Sequence, residues 1–171
     1  MTNAPSPAEV AAAFPPADIA AFLAFCGGEW LALRSQFDLD PDLAAEQDAN
    51  GWHSSERGEL KVAYLEPRHP GDPGGLAVQP ADAAGAAQVL LFSAAGQFTI
   101  EGSQPAQGQW QLWPDGSLEL VWSGDASERR ERIWFTKPNL RLRSCIERGP
   151  DGTPARASFS SEIRRLSRAG G

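Results

Sequence analysis

At 171 residues and a formal net charge of −7, the chain suits one domain large enough to bury a real core and to enclose a cavity. Its acidity opposes nucleic acid as a partner, because phosphate binding needs a basic field. Cys26 and Cys145 match no metal spacing and make no disulfide framework, no basic leader precedes an apolar run, and no stretch approaches the ~20 apolar residues that span a bilayer, so a soluble, cytoplasmic protein that engages no membrane is expected.

Residues 1–7 read as a disordered polar tail and 8–27 as a helical segment divided by Pro15-Pro16. Pro16 suits the first turn of the second helical piece and Asp18 its acidic start. Ile19, Phe22, Leu23 and Cys26 then follow at helical spacing, and Gly27-Gly28 stops the run.

From Glu29 the pattern changes to short segments rich in Trp, Phe, Val, Ile, Leu and Thr between Gly, Pro, Asn and Asp punctuation. Strands are expected near 29–38, 50–57, 59–66, 76–79, 88–93, 96–101, 107–113, 117–123, 130–136, 140–147 and 155–165. Residues 67–87 read as a Pro/Gly-rich loop broken by one short strand at Gly75–Val78. Asp115-Gly116 marks a hairpin turn, because Gly accepts the positive φ such turns require. Sequential hairpins with one helix favour an all-β, up-and-down antiparallel barrel, since meander connections close a sheet without long crossovers.

The last third holds the chemistry. Glu131-Arg132-Ile133-Trp134-Phe135 and Leu140-Arg141-Leu142-Arg143 alternate apolar and ionic side chains across a tight turn. Arg141 and Arg143, two residues apart on a strand, are roughly 6–7 Å apart, a spacing that suits a ligand with two flexible carboxylates. From the pattern alone these arginines face either a pocket or solvent, and Glu131 is either a pocket carboxylate or one half of a surface ion pair with Arg130 or Arg132. Turn length separates the two cases for Glu131. A four-residue loop, Thr136 to Asn139, puts Arg132 and Trp134 on the Arg141/Arg143 face, whereas a five-residue loop or a bulge puts Glu131 there. In 155–165, Ser158, Ser160, Glu162 and Arg164 share one face, and Phe159, Ser161 and Ile163 the other. Six tryptophans, Trp30, Trp52, Trp110, Trp113, Trp122 and Trp134, are enough to pack the barrel and leave one or two at a ligand. His53 beside Trp52 is either structural or a proton carrier. Neither cysteine has a visible activating partner, so no covalent role is assigned to them.

These pieces, with Pro138-Asn139, Ala157 to Arg164, and the weaker Gly28-Glu29-Trp30 and Arg34-Ser35, resemble the S/U-type phycobiliprotein lyases, the CpcS/CpeS family. The resemblance implies a lipocalin-like barrel of about ten strands over residues 29–165, capped by the N-terminal helix, forming a single bilin-binding domain across residues 1–171. It implies a lyase that binds an open-chain bilin, phycocyanobilin or phycoerythrobilin, as substrate, with no permanent cofactor and no metal. The bilin would be directed into thioether linkage with a cysteine of a phycobiliprotein alpha or beta subunit. Glu131 and Arg141 would be catalytic, and Arg34, Arg141, Arg143, Glu131, Trp134, Ser158 and Ser160 would contact the ligand. A homodimer, or a heterodimer with a related lyase subunit, is left open. So are a bilin carrier without transfer activity and a carrier of another hydrophobic acid. Two departures from the family stand out: Phe37 and Asp38 where members often carry a histidine pair, and no tryptophan pair across Gly75–Ala87.

Overall fold

A computed structural model describes residues 13–40, 53–81, 87–124 and 127–166. The expected tail at 1–7, the first helical piece at 8–12 and Trp52 lie outside these. Helix α1 (Ile19–Cys26) begins where Asp18 accepts the Ala21 N–H at 2.8 Å, an N-cap that satisfies one of the orphan donors of the first turn. Asp18 is thus the cap itself, and Pro16 precedes the helix rather than serving its first turn. Phe22, Leu23 and Cys26 are buried, as their spacing predicts.

Ten strands follow: β1 (Gly28–Asp38), β2 (His53–Leu65), β3 (Gly74–Pro80), β4 (Gln88–Phe92), β5 (Gln97–Glu101), β6 (Ala106–Leu112), β7 (Leu118–Ser123), β8 (Glu128–Lys137), β9 (Leu140–Arg148) and β10 (Pro154–Arg164). Each pairs antiparallel with its neighbours in sequence, and β1 also pairs with β10, so the sheet closes as an up-and-down barrel. Over the described residues, the segments expected at 50–57 and 59–66 are one strand, His53–Leu65. β2 runs through Gly58, which sits opposite Ala32 in an unbroken ladder from His53 to Val62. That ladder satisfies the backbone on both sides of the glycine, and this outweighs the weak strand preference of a single residue.

Turn chemistry behaves locally where the sequence is explicit. Gly116 adopts φ 81° after Asp115, and the Trp113 N–H donates to Ser117 O at 2.8 Å to close the β6–β7 hairpin. Within the barrel, alternate residues point inward and pack. Val62, Leu76, Phe92, Phe98, Ile100, Leu118, Leu120 and Ile133 form most of the core. Gly108 is registered between Phe98 and Trp122, and a Cβ there would collide with the Phe98 ring, the Trp122 Cβ and Val121 O. Its absence lets the two rings meet edge to face at 6.0 Å.

α1 closes one end. Phe22 and Phe25 pack edge-on against Phe135 at 5.3 and 4.8 Å, and fully buried Trp30 donates its indole N–H to Cys26 O at 2.9 Å. Arg164 fastens this floor by donating to Phe25 O and Gly27 O, the free carbonyls at the helix end, while lying 4.2 Å from the Trp30 ring centre. No helix among the described residues is long and apolar enough to cross a membrane.

Candidate functional site

Above the floor the barrel encloses a cavity of about 590 Å³, within the range that holds drug-sized ligands. Its far end is rimmed by exposed Glu56, Arg57, Pro80, Gln88 and Gln104. The lining is divided by strand. β3, β4, β5 and β7 contribute Leu76, Val78, Leu90, Phe92, Phe98, Ile100, Leu118, Leu120 and Trp122, whereas β8, β9, β10 and the middle of β1 contribute Arg129, Glu131, Arg141, Arg143, Glu162 and Arg34, and β2 adds Glu56, Arg57 and Glu59.

The hairpin register decides which charges face in. Lys137 pairs with Leu140 across Pro138-Asn139, and a bulge between Phe135 and Lys137 then shifts the ladder so that Phe135 meets Arg141, Ile133 meets Arg143 and Glu131 meets Cys145. This odd-length alternative, anticipated as the condition for a pocket carboxylate, puts Glu131 inside with Arg141 and Arg143. Trp134 is correspondingly turned out. It does not line the cavity, as a ligand contact would, but lies 6.5 Å from exposed Phe159 on the outer face.

Arg141 is 1% exposed and Glu162, opposite it on β10, is 2% exposed. The Arg141 Nε–H donates to Glu162 Oε2, and the guanidinium lies 4.5 Å from the Trp30 ring centre. Arg143 Nη1 donates to Glu131 Oε1 at 2.5 Å, and its Nε stands 3.6 Å from the second oxygen of Glu162. Two guanidiniums and two carboxylates therefore form one chain at the deep end. Burial works to raise the Glu162 pKa, yet Arg143 and Arg141 hold it below the usual carboxylate value. Burial likewise opposes the charge on Arg143, but Glu131 and Glu162 keep it firmly protonated. Two buried donors in this chain, Arg141 Nη2 and Arg143 Nε, have no hydrogen-bond acceptor; such vacancies are costly in a finished core and useful where a ligand oxygen is to arrive.

Nearer the opening, Arg34 is exposed at the rim, in register with Ser160 on one side and Glu56 on the other. Arg129 faces the cavity, tied to Glu147 at 3.3 Å. Ser158 and Ser160 line the wall, as their alternation with Phe159 predicts. Cys145 also lines it, and burial first, then Glu131, pushes its thiol up to about 11, so it stays protonated at neutral pH and is a poor nucleophile. Cys26 at the floor is raised too, burial prevailing over the pull of Arg141. His53, exposed on β2, stacks on Phe37 at 4.9 Å and does not line the cavity. Among the described residues no His/Cys/Asp/Glu cluster could hold a metal ion.

The structure thus brings together Arg34, Glu131, Arg141, Arg143, Ser158 and Ser160, and leaves Trp134 out. Sequence reasoning missed Glu162, Arg129 and Trp122. Glu162 had a usable signal, since it shares the face of Ser158 and Ser160. Trp122 shares that of Leu118 and Leu120.

The sequence profile of CpeS-like proteins matches residues 98–165, which hold β8 to β10 and most of the charged wall. A chromophore lyase CpcS/CpeS 1 of Paulinella chromatophora is 43% identical over 164 residues, covering 93% of this chain and 95% of that protein. A chromophore lyase CpcS/CpeS of Thermosynechococcus vestitus is 42% identical over 60 residues, 35% of this chain and 32% of that protein. Among solved structures, an S-type phycobiliprotein lyase from Guillardia theta superposes with a TM-score of 0.61 at 20% identity, over 86% of this chain and 92% of that one, a likeness of fold. With 43% identity to a relative over nearly the whole of both chains, and the same barrel in a solved lyase, the chain belongs to the chromophore lyase CpcS/CpeS family.

Proposed function

We propose that this barrel takes an open-chain bilin noncovalently, phycocyanobilin or phycoerythrobilin, and directs its thioether attachment to a cysteine of a phycobiliprotein alpha or beta subunit. The observation that carries the reading is the divided cavity. A flat apolar body with two acid arms and a polar row of pyrrole nitrogens needs an apolar wall facing one that holds both guanidinium and carboxylate, and few other metabolites need all three.

In this reading Arg34, Arg141 and Arg143 hold the propionates, because a guanidinium pairs two N–H groups with a carboxylate and stays charged when buried. Glu131 faces the pyrrole row as acceptor and acid. Ser158 and Ser160 give the ligand room and hydroxyl contacts. Phe92, Phe98 and Trp122 supply the aromatic walls that the family's middle-strand tryptophans would otherwise provide. In the addition step the acceptor's thiolate forms an S–C bond at the ethylidene carbon, the π pair moves into the conjugated system, and a proton ends on the adjacent carbon. No oxidant or reductant is needed. The protein's main contribution is orientation, since fixing one reactive pose of a flexible chromophore removes much of the entropic barrier.

Purified protein mixed with phycocyanobilin should give a red-shifted, narrowed absorbance band. Adding a phycobiliprotein subunit should give zinc-dependent fluorescence that survives denaturation on that subunit. A band without transfer would reduce the reading to a carrier, and no band at all would overturn it.

A further inference from the structure

The charge balance at the deep end of the cavity carries a consequence for the proton that the addition step requires. This inference rests on the bilin reading above. Arg141 and Arg143 are already matched by Glu162 and Glu131 before any ligand arrives. Among the described residues, the cavity-lining guanidiniums with no ion-pair partner are Arg34 and Arg57, both exposed at the rim, since Arg129 is held by Glu147. A ligand with two carboxylates can place one arm at Arg34. The other is drawn to the deep chain, where Arg141 Nη2 and Arg143 Nε are buried donors without an acceptor. Three carboxylates would then share two guanidiniums in a buried site, and an uncompensated charge there costs several kcal/mol, so one group takes up a proton instead.

The geometry selects which one. Glu162 accepts a hydrogen bond from Arg141 Nε and also lies within ion-pair reach of Arg143, 3.6 Å from its Nε, whereas Glu131 is held by Arg143 Nη1 alone. The other groups around Glu131 do not replace that contact. β7 presents apolar Leu120 opposite it and Trp122 beyond. β9 presents the protonated Cys145 thiol, and β8 itself presents Arg129, engaged by Glu147. β10 presents Ser160 and the negative Glu162, β1 the rim Arg34, and α1 the Cys26 thiol. We infer that entry of the ligand's acid arms draws Arg143 away from Glu131 and protonates the Glu131 carboxyl, so that substrate binding itself loads the acid used in the addition. The proton comes from solvent. When the acceptor thiolate adds, it passes to the bilin carbon and Glu131 returns to carboxylate.

The test is calorimetric titration of the protein with phycocyanobilin at pH 7 in buffers of different ionisation enthalpy, alongside absorbance as an independent record of binding. Uptake of about one proton per bilin is expected, with affinity weakening about tenfold per pH unit on the alkaline side. The bilin dimethyl ester, whose arms are neutral, should bind without uptake. Glu131→Gln should bind the free-acid bilin with no uptake and an affinity flat in pH. Bilin binding without uptake by the unaltered protein would overturn the inference and leave the function standing. Uptake that persists with the ester or in Glu131→Gln would also overturn it, by placing the proton elsewhere. Absence of any absorbance change on mixing would sink the function and the inference together.

Discussion

The two walls of the barrel are built from the same kind of strand and do opposite things. On β3 to β7 the inward positions are Leu, Val, Ile, Phe and Trp, and burying them drives folding while leaving space above. On β8 to β10 the inward positions apart from Ile133 and Phe135 are Arg, Glu, Ser and Cys, and burying them costs desolvation that the Arg141–Glu162 and Arg143–Glu131 pairs only offset. A protein selected for stability alone would fill both walls with apolar side chains. One wall carries the fold, and the other is kept for what enters.

That contrast can be broken most strongly at Arg141. Arg141→Ala leaves Glu162 buried without its main partner, and a loss of ~3–5 kcal/mol is expected, read as a lower urea midpoint together with loss of bilin retention. The double variant Arg141→Met, Glu162→Leu should recover most of that stability and still fail to retain bilin. If it retained bilin with unchanged affinity, the division of labour between the walls would be wrong. On the other wall, Leu120→Ala should cost about 2 kcal/mol, the low end for a core leucine because the cavity already adjoins it, while the bilin band stays present and only weakens.

Acid sharpens the same distinction. Glu162 has a folded pKa below its unfolded value, so its contribution is fully present above the unfolded carboxylate value of ~4.3 and is lost as pH falls through the lower folded one. Thermal midpoints measured downward from pH 6 should therefore drop more steeply below about pH 4.5 in the unaltered protein than in Glu162→Gln. At the rim, Arg34→Ala should leave unfolding within about 0.5 kcal/mol of the parent and weaken bilin binding about tenfold, as measured by absorbance titration. The smallest effect is expected outside: Trp134→Phe should change neither the bilin band nor its affinity, and a shifted band would bring Trp134 back to the ligand.

Much of this was legible in the residues. Asp18 ahead of the Ile19–Cys26 run, Asp115-Gly116 between two strands, and the alternation from Ser158 to Arg164 are local signals, and each describes what its own few residues do. The barrel followed because hairpins in series have few ways to close. What escaped was non-local. The bulge at Phe135–Lys137 has no glycine to announce it, yet it decides that Glu131 points in and Trp134 out. Gly58 looked like punctuation, but its conformation is imposed by β1, more than twenty residues upstream. Glu162 was on the correct face but was not singled out, because its importance comes from Arg141 on the neighbouring strand.

The helix-sealed floor, fastened by Arg164 to Phe25 and Gly27, has a consequence for traffic. With α1, Trp30 and Phe135 blocking one end, the proposed function would bring chromophore and acceptor through the same doorway at the other. An acceptor already seated there would bar the chromophore's way in, so under that proposal loading would precede docking. A filled barrel would then leave its reactive carbon at the threshold, and departure of the finished adduct would clear the way for the next cycle.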